Sequence, residues 1–366
     1  MTSVQTSIFP EQPGDASRGR TSRSLPVIGA QRDITYHASA ARRLLNGPET
    51  TGMGFWSINP YVGCAFGCAY CYARYAHRYV MERAGAPEAA PEAEVPLPPW
   101  LAFERRILVK ENAAAALRRD LRPGAGGRRP ERGDTIVIGT ATDPYQPAER
   151  RYRLTRTVLE VLAGLGGPAK IVIITKSPLV TRDIDLLQAL ARLTRISVHV
   201  SLITLDRELA RRLEPRAPTP ESRLRAIERL SAAGIRVGVN CMPVLPGITD
   251  RAADLDALVR RVAAAGAAHL AAGSLRLRRT ARERYLPFIA EEFPHLDARY
   301  RAAYGRGHQL PAAYRDRLAA LVRRLCERHG LPWYTYGGDE EQSPAAGAAA
   351  AASPAAPQLE LWDGRG

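Results

Sequence analysis

Short β-branched runs alternate with helix-length amphipathic segments through most of the chain, and no other feature restricts the fold as strongly. The runs fall at residues 135–139 (TIVIG), 171–175 (IVIIT), 196–202 (ISVHVSL) and 235–241 (IRVGVNC), with a weaker one at 269–275. Helical sequence follows them at 149–165, 181–193, 221–233 and 250–264, with apolar spacings such as Leu154, Val158, Val161 and Leu162. Gly234 stands where a helix C-cap and a turn into the next strand are expected. With residues 55–62 as a first strand, the pattern makes about six βα units. Parallel strands joined by helices predict an α/β fold, either an open doubly wound sheet or a complete or partial barrel. Both architectures put chemistry at the carboxyl ends of the strands. No GxGxxG follows the first strand, which argues against a dinucleotide site.

The flanks differ in composition. Residues 1–50, rich in Ser, Arg, Pro and Gly, read as a flexible arm, and 337–366 as an Ala/Pro/Gly tail. Between them the pattern divides into a core over 51–285 and a helical extension over 286–336, with interruptions at 85–100 and 122–133. No apolar run approaches the length of a membrane span, and the first residues lack an apolar signal region, so a cytoplasmic protein is expected. The net charge of +15 invites a polyanionic partner, DNA or RNA. Of the 52 cationic residues only Lys110, Lys170 and Lys176 are lysine, so a compositional bias toward arginine explains the charge equally well.

Three of the five cysteines, Cys64, Cys68 and Cys71, fall within eight residues. C-x3-C-x2-C on a loop with two glycines reads as a metal site in a reducing compartment, not as a disulfide framework. Three thiolates are one short of the usual four. His77 would complete a zinc knuckle; otherwise the site is a [4Fe–4S] cluster with one open iron. The position after the first strand and the aromatic before the third cysteine favour the cluster. Cys241 ends a strand in phase with Val237 and Val239, as an inward-facing hydrogen-atom donor or as a buried structural thiol. Cys326, in step with Leu318, Leu321, Val322 and Leu325, reads as core.

The segment from Asn59 to Arg74, NPYVGCAFGCAYCYAR, resembles the cluster loop of the radical S-adenosylmethionine (SAM) superfamily, in its spore photoproduct lyase-like branch. The blocks GTATDPYQP (139–147), TKS (175–177), EPR (214–216) and PVLPG (243–247) extend the resemblance over about residues 50–285. It implies a partial (β/α)6 TIM-type barrel with a C-terminal helical extension. It also implies a [4Fe–4S] cluster on Cys64, Cys68 and Cys71, SAM on the open iron, and a one-electron reductant of flavodoxin or ferredoxin type. Reductive cleavage of SAM would give a 5′-deoxyadenosyl radical that abstracts a substrate hydrogen.

The same resemblance implies SAM contacts at the strand ends. Tyr70 is expected near adenine, Thr140, Thr142 and Asp143 near the SAM amino group, and Lys176 at its carboxylate. Ser201 is expected at the ribose or carboxylate, Glu214 and Arg216 bracing that site, and Val244 packing on adenine. Bland readings stand beside these: a turn for Asp143-Pro144, a solvated Lys176, an ordinary strand-end Ser201. Spore photoproduct lyase returns a hydrogen atom from a cysteine near the end of its second strand. Thr140-Ala141-Thr142 offers no thiol there, so the same repair cycle is not expected.

A radical SAM enzyme acting on a nucleic-acid base is therefore the leading expectation. The alternatives are a zinc-stabilised nucleic-acid-binding module, and a radical SAM enzyme for a small molecule or peptide. Arg276, Arg278, Arg279, Arg282 and Arg284, after the last strand, are candidate phosphate contacts or simply a solvated face. Gln358, Leu359, Glu360, Leu361 and Trp362 resemble a pentapeptide that docks on the bacterial DNA sliding clamp.

Overall fold

The computed structural model describes residues 25–75, 97–123, 128–167, 169–305 and 307–335. His77, residues 1–24 of the expected arm and the clamp-like segment from Gln358 to Trp362 lie outside these residues.

Twelve strands are described, in chain order β1 Val27–Gln31, β2 Ile34–Ser39, β3 Leu45–Asn46, β4 Trp56–Ile58, β5 Tyr61–Val62, β6 Arg106–Lys110, β7 Thr135–Ile138, β8 Lys170–Thr175, β9 Ile196–Ser201, β10 Arg236–Val244, β11 His269–Ser274 and β12 Trp333–Thr335. They form two sheets. The larger runs β12-β11-β10-β9-β8-β7-β4-β3, with every neighbouring pair parallel except β3 and β4. The fold is α/β, as the alternation predicts.

From β4 to β12 the strands of this sheet lie side by side in chain order, with no reversal. Crossovers of one hand then put every connecting helix on the same face. Burial agrees. Ile171, Ile173, Val198, Val200, Val237 and Val239 alternate onto one face and join a single core with Leu187, Leu190, Ile227, Leu258 and Leu325 from the helices. The opposite face carries Ser197, His199, Ser201, Gly238, Asn240 and His269. This helix-free face is the polar one.

Local chemistry moves several boundaries. The expected strand 55–62 splits between the two sheets, because Pro60 has no N–H to extend the ladder. The expected helix 149–165 breaks at Arg153, whose φ is 52°, into Ala148–Tyr152 and Leu154–Gly164. The buried Glu149 carboxylate makes this break stable by accepting from the backbone N–H groups of Thr155 (2.9 Å) and Arg156 (3.2 Å) at the new helix start.

Two expectations about the flanks need correction. From Val27 onward the expected arm is folded: β1 and β2 form an antiparallel pair, β2 runs parallel to β6, and β6 pairs with β5. Ile34 and Tyr36 pack there with Tyr61, Ile107 and Val109. The C-terminal extension is not purely helical. Its helices Arg279–Glu292, Pro294–Tyr304 and Ala312–Arg328 are followed by β12, which joins the large sheet beside β11. Among the described residues no helix is long and apolar enough to cross a membrane.

Candidate functional site

β5 runs directly into Gly63 and Cys64, at the carboxyl end of β4. Both glycines of the cysteine loop take positive φ, 85° at Gly63 and 67° at Gly67. A Cβ on Gly63 would lie 2.7 Å from the Phe103 carbonyl, and one on Gly67 2.6 Å from the Arg216 guanidinium. Conformation favours glycine at both positions, and at Gly63 the neighbouring backbone also leaves no room for a side chain.

The loop backbone is gripped from several elements. Cys64 N–H donates to Phe103 O (2.9 Å), Ala65 N–H to Gln146 Oε1 (3.0 Å) and Ala69 N–H to Leu213 O (2.9 Å). Its carbonyls accept in turn: Gly63 from Thr142 Oγ1 (2.6 Å), Ala65 from Arg216 Nε (2.5 Å) and Cys68 from Arg74 Nη2 (2.6 Å). Glu104 sits between the two arginines, 2.7 Å from Arg74 and 2.8 Å from Arg216. One buried carboxylate thus aligns two guanidiniums, and each holds a loop carbonyl.

Cys64 and Cys68 are buried and Cys71 is partly exposed. Burial pushes the Cys64 thiol up to about 12 and raises Cys68 and Cys71 as well. The three thiols are within electrostatic reach of one another, and Lys176 acts on Cys68 in the opposite direction. Among the described residues, no three Cys, His, Asp or Glu side chains are gathered as one metal ion would gather them. A zinc ion with bonds of about 2.3 Å needs its thiolates in mutual contact. A cubane takes one thiolate per iron and spreads them further apart.

A charged cluster lies under Tyr70. Its hydroxyl donates to Glu214, whose other oxygen is held by Arg223. Lys176 Nζ is 3.6 Å from Glu214 Oε1 and 5.7 Å from the Tyr70 ring centre. Arg223 also donates to Ser201 O (2.9 Å), joining the cluster to the end of β9. Burial pushes the Glu214 carboxyl up, but Arg223 and Lys176 outweigh it and hold it below its ordinary value. Burial likewise disfavours the Lys176 cation, and Glu214 and Cys68 reverse that, leaving it raised.

At the β7 exit, Thr140 Oγ1 accepts from Asn59 Nδ2 (3.0 Å), and Asn59 Oδ1 accepts from Ala141 N–H (2.8 Å). Asp143 accepts from Tyr145 N–H (2.9 Å), Thr175 Oγ1 (2.7 Å) and Lys176 N–H (2.7 Å). Asp143 therefore closes a turn and also ties the β7 exit to the β8 exit. Val244 ends β10 and is fully buried.

Cys241 does not join this group. Asn240 and Cys241 alternate, and Asn240 shares the polar face with Ser201, so Cys241 faces the helices. Burial first, then Cys326 of the helix Ala312–Arg328, pushes its thiol up to about 12. The expectation of an inward-facing hydrogen-atom donor is corrected to a core thiol on the helix side.

Arg74, Glu104, Gln146 and Arg223 are further residues of the site. Arg74 ends the cluster-loop segment and Gln146 stands inside the GTATDPYQP block, so both carry a signal through those motifs. Glu104 and Arg223 lie in helices of ordinary pattern and carried none.

The Radical SAM superfamily profile matches residues 58–259. An uncharacterized protein of Mycobacterium tuberculosis H37Rv is 37% identical over 314 residues, 85% of this chain and 84% of its own length. An uncharacterized protein of Methanocaldococcus jannaschii is 27% identical over 211 residues, 57% of this chain and 68% of its own. A spore photoproduct lyase variant, solved with bound AdoMet and a dinucleoside spore photoproduct, shares the fold at 17% identity with a TM-score of 0.55, over 82% of this chain and 81% of that one. By the extent of the profile match and the mycobacterial relative, the chain belongs to the radical SAM superfamily.

Proposed function

We propose that Cys64, Cys68 and Cys71 hold a [4Fe–4S] cluster with one open iron, and that the enzyme uses SAM bound there to abstract hydrogen from a nucleic-acid base. The observation that carries this reading is the three-thiol loop, clamped through its backbone by Gln146, Thr142, Arg74 and Arg216 at the strand ends of a radical SAM family member. Its donor set of three thiols on one loop fits a cluster that keeps one position for a ligand. When bound, cluster and SAM supply one-electron cleavage of the sulfonium and a carbon radical for hydrogen abstraction.

The chain's own residues bind and enclose. Lys176 offers the SAM carboxylate a compact ammonium, kept charged by Glu214. Tyr70 and Val244 flank adenine, and Ser201 meets the ribose or carboxylate. Asp143, with three acceptor positions engaged by its own chain, keeps capacity for the SAM ammonium beside Thr140 and Thr142. Glu214 braces Lys176 and Tyr70, and Arg216 braces the adjoining cysteine loop through the Ala65 carbonyl. A partial (β/α)6 barrel is supported by the chain-order strands with helices on one face.

A one-electron reductant of flavodoxin or ferredoxin type completes the system. The nucleic-acid substrate is supported by the net charge of +15 and by the exposed Arg276 beyond β11. Arg282 is committed to the Tyr304 and Gly307 carbonyls, and Arg284 stacks on Trp100 at 5.1 Å, which leaves fewer arginines for phosphates than their number suggests. Anaerobic reconstitution tests the reading. About four irons per chain and SAM-dependent 5′-deoxyadenosine are expected, and colourless protein with one zinc overturns it.

A further inference from the structure

Lys110 takes no part in the chemistry described above, yet it stands at the joint that leads into the cysteine loop. It ends β6, beside Ser39 of β2 and one residue past the pairing of Val109 with Tyr61. This is where the chain passes from β4 of the large sheet to β5 of the small one. The Lys110 backbone N–H donates to Pro60 O (3.3 Å) and its ammonium to Asn59 O (2.7 Å). One residue therefore holds both carbonyls of the joint.

What Asn59 carries makes the joint matter. The contact between β4 and β7 ends where Gly139 N–H donates to Ile58 O (3.0 Å). Beyond that point the Asn59 side chain continues it, donating to Thr140 Oγ1 and accepting from Ala141 N–H. The Tyr72 hydroxyl, next to Cys71, donates to Thr140 O. The start of the β7 exit is thus set by Asn59, and Asn59 by Lys110. Burial lowers the Lys110 ammonium to about 8, and among the described residues no carboxylate offsets it. A desolvated cation without an anion costs stability, so an apolar side chain would suit the fold better. Folding alone does not account for a lysine here.

We propose that Lys110 is a positioning residue for SAM. By holding the Asn59 carbonyl it fixes the amide that sets Thr140 and Ala141, and with them the β7 exit where the SAM amino group binds. The inference rests on the SAM-binding reading above and adds to it a task for the small sheet, which delivers Lys110 to the joint on β6.

Equilibrium binding to the reconstituted full-length protein tests this. Lys110→Met should weaken SAM about three- to tenfold, the range of one hydrogen bond. Iron content should be unchanged, and so should affinity for 5′-methylthioadenosine, which keeps the nucleoside and lacks the amino acid. Stability should move the other way. In chemical denaturation Lys110→Met should be no less stable than wild type at pH 7. Wild type should then gain on it as pH rises from about 8 toward the ordinary lysine value of 10.5, because there the unfolded chain binds the proton that the folded one has lost. Asn59→Ala should weaken SAM at least as much, and adding Lys110→Met to it should cost less than about twofold more, since both act through one amide. Unchanged SAM affinity in Lys110→Met, an equal loss for 5′-methylthioadenosine, or additive losses in the double variant overturns the assignment. So does a variant destabilised at pH 7, which would make Lys110 a structural lysine. Wild type that binds no SAM would instead sink the broader reading, and this inference with it.

Discussion

Lys176 Nζ and Glu214 Oε1 face each other at 3.6 Å, with the lysine side chain 14% and the glutamate side chain 1% exposed. The same carboxylate holds Tyr70, which stands between two of the loop cysteines, and Arg223, which reaches the end of β9. Glu214 is therefore the hub through which the cysteine loop, the β8 exit and the β9 exit share one position.

Removing that hub should cost stability first. Glu214→Gln leaves Lys176 and Arg223 buried without their anion, a change worth about 3–5 kcal/mol. Chemical denaturation of the purified variant measures it. Because the folded carboxyl lies below its ordinary 4.5, its contribution is complete above that value and is lost as pH falls through the lower folded one. The gap between wild type and variant should narrow in acid and stay constant from pH 6 to 8. A gap that persists unchanged at the acid end would mean that charge is not the cause.

Lys176→Ala should weaken SAM binding by one to two decades, the range of a charge-assisted hydrogen bond of roughly 1.5–3 kcal/mol. Iron content should be unaffected. Equilibrium binding of SAM to the reconstituted variant reads this out, and an unchanged affinity removes Lys176 from the site.

Cys64→Ala, Cys68→Ala and Cys71→Ala should each lose most cluster iron and all reductive SAM cleavage, since two thiolates do not hold a cubane firmly. Iron and sulfide analysis after anaerobic reconstitution checks the assignment. Full iron in any one variant would exclude that residue as a ligand.

Glu104→Ala should loosen the loop without touching a thiol. Arg74 and Arg216 lose the carboxylate that aligns them on the Cys68 and Ala65 carbonyls. The expected result is normal initial iron loading with several-fold faster loss under a chelator. Retention equal to wild type would show that the arginines hold the loop by themselves.

Cys241→Ala should leave SAM cleavage at the wild-type rate and lower stability by about 1 kcal/mol, the cost of an ordinary small core truncation. A large loss of turnover with the fold intact would restore this thiol to the chemistry.

The residue pattern by itself determined the parallel α/β organisation and the cysteine donor set. Both are local properties: hydrophobic period repeats within one element, and C-x3-C-x2-C spans eight residues. The pattern also put Cys241 in phase with Val237 and Val239, but period alone does not say which face of a strand meets the helices. The order of strands in the sheet decided that, and it turned Cys241 toward Cys326. Tertiary structure also decided that residues 27–39 complete a second sheet, because the β1–β2 pair has no further strand to join until β6 arrives some seventy positions later. The partners of Tyr70 and of the cysteine loop followed the same rule. Glu214 is 144 positions from Tyr70 and Gln146 is 81 from Ala65, separations over which no periodicity carries information, so only the packing of strand ends against one another brings these charges and amides to the loop.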